Sequence, residues 1–209
     1  MIVLIPAAQR GRTDHGWLES RHTFSLRDHM GFRRLRVIDE NRVQPARGFG
    51  THPHADMEML SYVLQGTLAH RDSTGRRSVL RQHEFQCLSA GRGVAHNEYN
   101  PSGVEVVHFL QIWILPDRSG IEPSSQQLPL PPAKKRGRLA LVAAPEAADG
   151  ALTVHQDVRV YVTLLETGES VRHILGPGRY AWVQVTRAVA LNEIGWPPAM
   201  ALPSSTSGR

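Results

Sequence analysis

Apolar and polar positions alternate along most of this chain in short runs, each closed by turn residues. Met59-Leu60-Ser61-Tyr62-Val63-Leu64 ends at Gln65-Gly66, Thr67-Leu68-Ala69-His70 runs into Asp72-Ser73-Thr74-Gly75, and Ser78-Val79-Leu80 and Phe85-Gln86-Cys87-Leu88 follow. A period of two over so few residues marks strands rather than helices. Short strands joined by tight turns predict an all-β, antiparallel barrel, which can bring strands distant in sequence onto one inner wall. A longer apolar run, Val104 to Pro116, reads as a further strand that buries one row. It leaves Glu105, His108 or Gln111 to the other wall or to solvent, with His108 as a hydrogen-bonded barrel residue.

Residues 117–138 break this pattern with Gly120, Pro123, Ser124-Ser125, Gln126-Gln127, Pro129 and Pro131-Pro132, the composition of an interdomain connector. Alternation resumes from Leu139, through Leu141-Val142-Ala143, Leu152-Thr153-Val154, Val158 to Leu165 and Tyr180 to Val185. The expected organisation is therefore a first barrel over 1–116, a linker over 117–138 and a second barrel over 139–209.

Composition narrows the class. The chain has 209 residues, 41% hydrophobic and 21% charged, as an ordinary soluble globule does. Its net charge is +5 and its pI about 10.0. Lys and Arg are scattered and no aromatic-interleaved basic helix occurs, so no nucleic-acid partner is expected. The run Lys134-Lys135-Arg136-Gly137-Arg138 reads as solvated connector. One cysteine, Cys87, allows no internal disulfide and suits a reducing cytoplasm; in an alternating strand it reads as a small core residue. Met1 to Pro6 has no basic segment and too short an apolar run for a signal peptide, and nothing approaches membrane-spanning length. A cytoplasmic protein without a membrane partner is the expectation.

The candidate chemistry lies in two clusters, Gly50-Thr51-His52-Pro53-His54-Ala55-Asp56-Met57-Glu58 and Gly93-Val94-Ala95-His96-Asn97-Glu98. In a strand, residues two apart share a face, so His52 pairs with His54 and His96 with Glu98. Three imidazoles and a carboxylate suit a first-row divalent metal and leave positions open on it. Glu58, four after His54, rivals Glu98 for the carboxylate on strand parity, and spacing alone does not choose. A lone His-x-His pair is more often a pair of exposed loop histidines; the second cluster is what favours a metal. His15, His22 and His29 lack ligand spacing, His70 and His83 read as solvated, and His155 and His173 stand apart, so no metal is expected in the second half. Phe24, Phe49, Met57 and Phe85 are left open between pocket mouth and core.

Gly48 and Gly50 before His52-Pro53-His54, Glu58 after them and Gly66 beyond resemble the first cupin motif, and Gly93-x-x-His96-x-x-x-Asn100 resembles the second. More narrowly, GFGTHPHADMEMLSYVLQGTLAHRDS and LSAGRGVAHNEYNPS, with Trp17, Ser20 to Ser25 and Leu35-Arg36-Val37-Ile38 upstream, resemble the pirin family of bicupins over roughly residues 9 to 190. The resemblance implies a bicupin of two jelly-roll barrels. It assigns His52, His54, His96 and Glu98 as metal ligands and moves Glu58 to a supporting role, holding a ligand imidazole or the barrel mouth. Iron(II) is the expected ion, with copper, nickel, manganese, cobalt and zinc as alternatives.

The activity it implies is that of a quercetin 2,3-dioxygenase, opening the central ring of a flavonol with dioxygen, with Glu98 as the catalytic base. The reading of a different class is a non-enzymatic, iron-bearing regulator that acts through a protein partner. In the family, the segment over residues 12 to 30 packs across the barrel beside the metal; here Ser25-Leu26-Arg27-Asp28-His29-Met30-Gly31 is shorter than in relatives. At the other end, relatives close the second barrel with a turn of the type Leu-Ala-Ala-Gly-Asp-Gly-Ala, which GC-rich codons for Gly195 to Pro203 spell in another frame. The expectation is a frameshift near residue 194 and an incomplete second barrel.

Overall fold

The computed structural model describes residues 5–24, 31–146 and 150–186, and the backbone alone of 189–191, 194–196 and 201–205. Among these residues there is no α-helix; short 3-10 turns occur at Ala7–Gln9 and Pro132–Lys134. The strands of the first half are β1 (Gly11–Asp14), β2 (Leu18–His22), β3 (Leu35–Val43), β4 (Gly48–His54), β5 (Glu58–Gln65), β6 (Thr67–Asp72), β7 (Arg77–Arg81), β8 (Glu84–Ser89), β9 (Val94–Tyr99), β10 (Val107–Ile114) and β11 (Ser124–Pro129). They build two antiparallel sheets, one ordered β1-β2-β3-β10-β5-β8-β11 and the other β4-β9-β6-β7.

The two sheets pack face to face. Leu18, Val43, Val63, Val107 and Phe109 of the larger sheet meet Leu68 and Leu80 of the smaller, and Met59 and Leu88 meet Val94 at the other end of the same interior. The turn from β5 to β6 passes through Gly66, at φ +77 and so close to the Val106 carbonyl that a Cβ would collide with it.

The back of the larger sheet is not solvated. Leu60, Tyr62, Phe85, Cys87, Leu110 and Ile114 form one apolar cluster with Leu130, Val142, Ala143, Leu152 and Val154 of the following chain. Both rows of β5 and β10 are therefore covered. That is why their sequences read as near-continuous apolar runs; of the polar positions expected on the other wall or in solvent, Glu105, before β10, is exposed, while His108 and Gln111 are partly buried and hydrogen-bonded. Gln111 points between the sheets, and His108 binds the buried Glu40 at 2.9 Å.

Residues 117–138, expected as a connector, supply β11, which extends the larger sheet by pairing with β8 from Ser124↔Ser89 to Pro129↔Glu84. The basic run within it is not uniformly solvated. Lys135 is fully buried and donates to the Tyr62 hydroxyl at 2.7 Å, beside the stacked Tyr62 and Phe85 rings.

The second half is made of shorter strands: β12 (Ala140–Ala144), β13 (Leu152–Thr153), β14 (Val160–Val162), β15 (Tyr180–Gln184), β16 (Val189–Leu191), β17 (Ile194–Trp196) and β18 (Ala201–Ser205). They form a sheet β13-β12-β14, in which β12 and β13 run parallel, and the antiparallel pairs β15-β18 and β16-β17. Residues 25–30, the core of the shortened segment, lie outside the described set, as do the side chains of the expected frameshifted tail. The described part of residues 12 to 30 adds β1 and β2 to the free edge of β3. No described helix is long and apolar enough to cross a membrane.

Candidate metal centre

The centre is built on one strand pair. β4 and β9 run antiparallel with His52 opposite His96 and Phe49 opposite Glu98. Those partners are three residues apart on β4 and two apart on β9, so β4 carries a bulge at Gly50-Thr51. The extra residue keeps Phe49 and His52 on the same, inward face; without it the whole histidine row would point to solvent. Gly48 lets the strands close, since a Cβ there would overlap the Glu98 carbonyl and the Tyr99 Cα.

On that face the rings of His52, His54 and His96 converge, with centroids 4.6 to 4.9 Å apart. Each offers a nitrogen, the three lying within 4.8 Å of one another. Nε2 of His52 and Nε2 of His96 are 3.1 Å apart. Two nitrogens each about 2.1 Å from one ion and at a right angle about it would be about 3.0 Å apart, so this spacing suits cis positions on one divalent metal. Nδ1 of His52 donates to the Gly50 carbonyl at 2.7 Å, which leaves its Nε2 lone pair free for a ligand. Nε2 of His54 is buried without a hydrogen-bond partner, and the Trp113 ring braces His54 edge-on at 5.0 Å. An orphaned, buried imidazole nitrogen facing two others fits a bound cation.

The electrostatics agree. Burial, reinforced by the neighbouring histidines, lowers the pKa of His96 to about 3, and burial with the His52 charge lowers that of His54. Both rings are thus held neutral, the form that donates to a metal. Glu98 is buried on the same face of β9. Burial lifts its carboxyl to about 7, against hydrogen bonds from the Ser61 hydroxyl at 3.2 Å and from the Gln111 amide, which lower it. Its close set is with His70 and His96 rather than with His52 and His54.

Two expectations are corrected. Glu58 does not hold a ligand imidazole. The chain turns at Asp56, φ +48, which resets strand parity between His54 and Glu58. Glu58 consequently shares the outer row of β5 with Leu60 and Tyr62, where it accepts from Ser89 at 2.8 Å and meets His155 of the second half at 3.2 Å. His70 is not solvated: it is 2% exposed, with Nδ1 3.4 Å from Nδ1 of His96 and Nε2 3.3 Å from Asp72. Ser61, Gln111, His70 and Asp72 were all missed by sequence reasoning. For His70 a signal existed, since it lies two residues beyond the inward Leu68 on one strand.

Of the other histidines, His22 is held between Asp39 at 3.0 Å and Thr13 at 2.9 Å, and His15 lies exposed. His83 is half-buried at a positive-φ turn. Of the aromatic and apolar positions left open, Phe85 is core, while Phe49, edge-on to Trp17, and Met57 are partly buried against the inter-sheet clusters. Phe24 packs on Trp182. His54 also borders an open cleft of about 510 Å³ lined by Pro53, Ala55, Ser73, Gly93, Val94 and Ala95.

Comparison with known proteins matches residues 6–114 to the Pirin family and residues 141–191 to the quercetinase C-terminal cupin domain. The chain is 44% identical over 200 residues to the quercetin 2,3-dioxygenase of Escherichia coli K12, covering 93% of this chain and 85% of that protein. Among solved structures, YhhW from Escherichia coli superposes with a TM-score of 0.91 at 42% identity, covering 98% of this chain and 88% of that one. A second structure, of bacterial pirin YhhW in complex with nickel(II), gives the same TM-score and identity and covers 98% and 90%.

Proposed function

The chain belongs to the pirin family, and from that premise we propose that it is a metal-dependent dioxygenase of the quercetin 2,3-dioxygenase type, cleaving the central ring of a flavonol or a similar polyphenol. The observation that carries this reading is the convergence of His52, His54 and His96 from two strands, with the Nε2 of His54 left unpartnered beside the others.

In this reading His52, His54, His96 and Glu98 hold the ion, iron(II) or another divalent first-row metal. That the related YhhW was solved in complex with nickel(II) supports a divalent metal. Bound there, the metal supplies Lewis acidity towards a phenolic oxygen and a site for dioxygen. Glu98 would take the proton of the flavonol 3-hydroxyl, as a buried carboxylate on the same face of β9 as His96 and beside the open positions of the ion. Ser61 and Gln111 keep that carboxylate oriented, and Trp113 keeps the His54 ring from turning away. The cytoplasm, which supplies reduced metal and dioxygen, is the compartment that suits this chemistry.

The test is anaerobic purification with metal analysis, followed by oxygen-dependent loss of flavonol absorbance with wild type and His52→Ala. Stoichiometric metal and turnover in wild type, both lost in the variant, are expected. Turnover in metal-free protein would overturn the mechanism. Metal without turnover over a panel of phenols would turn the reading to a regulator acting through a protein partner.

A further inference from the structure

Resting on the metal reading above, we propose that Asp72 and His70 form a relay that fixes the tautomer and orientation of His96, making His70 the positioning residue of the centre. The cross-strand register sets it up: on β6 and β9, His70 lies opposite Glu98 and Asp72 opposite His96. The relay begins in the turn after β6. Oδ1 of Asp72 accepts from the Thr74 hydroxyl at 2.6 Å, from the Thr74 amide at 2.9 Å and from the Arg76 amide at 3.3 Å. Three donors on one oxygen lock the carboxylate and leave Oδ2 to His70.

The rest follows from counting protons. Oδ2 of Asp72 only accepts, so Nε2 of His70 carries its hydrogen and donates across 3.3 Å. In a neutral imidazole the other nitrogen then has a lone pair and no hydrogen, so Nδ1 of His70 accepts. The group facing it at 3.4 Å is Nδ1 of His96, which must donate. His96 is left with its lone pair on Nε2, the atom 3.1 Å from Nε2 of His52. The side chains of His70 and Asp72 are each 1% exposed, so water does not compete for these contacts. A turn at the end of a neighbouring strand thereby decides which nitrogen of a ligand faces the ion, as outer partners do at other metal sites.

Isosteres separate this role from packing. Asparagine places an acceptor oxygen where Nδ1 of His70 stands, glutamine places a donor where Nε2 stands, and phenylalanine offers neither. Isothermal titration of the full-length metal-free protein with nickel(II) alone should find H70F and H70Q weakened by about 10–100-fold, the cost of losing an outer partner. H70N should keep wild-type affinity. Asp72→Asn, which touches no proposed ligand, should weaken nickel as well, because its amide donates to Nε2 of His70 and reverses the relay.

Equal affinity in wild type, H70Q and D72N, with circular dichroism confirming a fold, would overturn the proposal, as would H70N falling with H70F. X-ray absorption that loses a nitrogen scatterer in H70Q would make His70 a ligand itself and overturn it too. If H70F fails to fold, the pair H70N and H70Q still decides. Wild type that takes up no nickel would remove the centre altogether, an outcome distinct from uptake that the variants leave unchanged.

Discussion

His52 and His96, 44 residues apart in the chain, stand opposite one another on β4 and β9 with their Nε2 atoms 3.1 Å apart. His54 completes the cluster from the same strand as His52. Its ring is only half-buried, and its edge-on contact with Trp113 is its link to the larger sheet, so His54→Ala should change the stability of the metal-free protein by no more than about 1 kcal/mol. Nickel affinity, read by calorimetry, should fall by well over the roughly 10–100-fold that the loss of an outer partner costs. Undiminished uptake would remove His54 from the ligands.

Gly48→Ala probes the strand pairing beneath the cluster. A Cβ at this position overlaps backbone of Glu98 and Tyr99, which have no flexible end to give way. The variant should lose at least about 1–3 kcal/mol, the usual cost of overpacking, and should lose nickel affinity with it. Chemical denaturation and calorimetry on the same sample check both, and a variant that binds and melts as wild type would contradict the close approach.

Acid stability should depend on Glu40. Burial raises its pKa, but the His108 hydrogen bond and the charges of Arg10 and His108 outweigh that and bring it from 4.5 to about 2. A depressed carboxyl favours the folded state above its unfolded pKa, and the gain is lost as pH falls through the folded one. Wild type should therefore lose roughly 3 kcal/mol from this group between about pH 4.5 and 2. Urea denaturation at stepped pH should show a shallower acid slope in Glu40→Gln.

Lys135 gives a dependence of the same sign in an alkaline window. Burial lowers its pKa from 10.5 to about 8, so between those values the unfolded chain binds more protons and stability rises with pH. Tyr62, lifted by burial from 10.0 to about 12, works the other way above pH 10 and confines the useful window to pH 8–10. Lys135→Met should abolish the rise in that window in denaturation measurements, and a rise that survives would assign it to another group.

The strand-rich fold and the convergence of the three histidines were legible because His52 with His54, and His96 with Glu98, keep the period of two within β4 and β9. What was not legible depended on events between strands. Parity carried Glu58 to the wrong face because the Asp56 turn resets it, and no local signal announces that turn. His70 followed a turn-rich, charged stretch that looks solvated until β9 closes over it. Lys135 sat in a basic run whose neighbours are exposed, and only the Tyr62 hydroxyl explains its burial. Gln111 and Ser61 became visible once β10 and β5 were seen to be covered on both faces.

That double covering limits how the molecule can be divided. The back of the larger sheet is apolar over Leu60, Tyr62, Phe85, Leu110 and Ile114, and Leu130, Val142, Ala143, Leu152 and Val154 are what shield it. A fragment ending near residue 116 would hold every proposed ligand and still offer water a wide greasy panel, and such panels drive self-association. For protein engineering, the histidine cluster is not a detachable cassette: transplanting it means transplanting its lining from the other half as well.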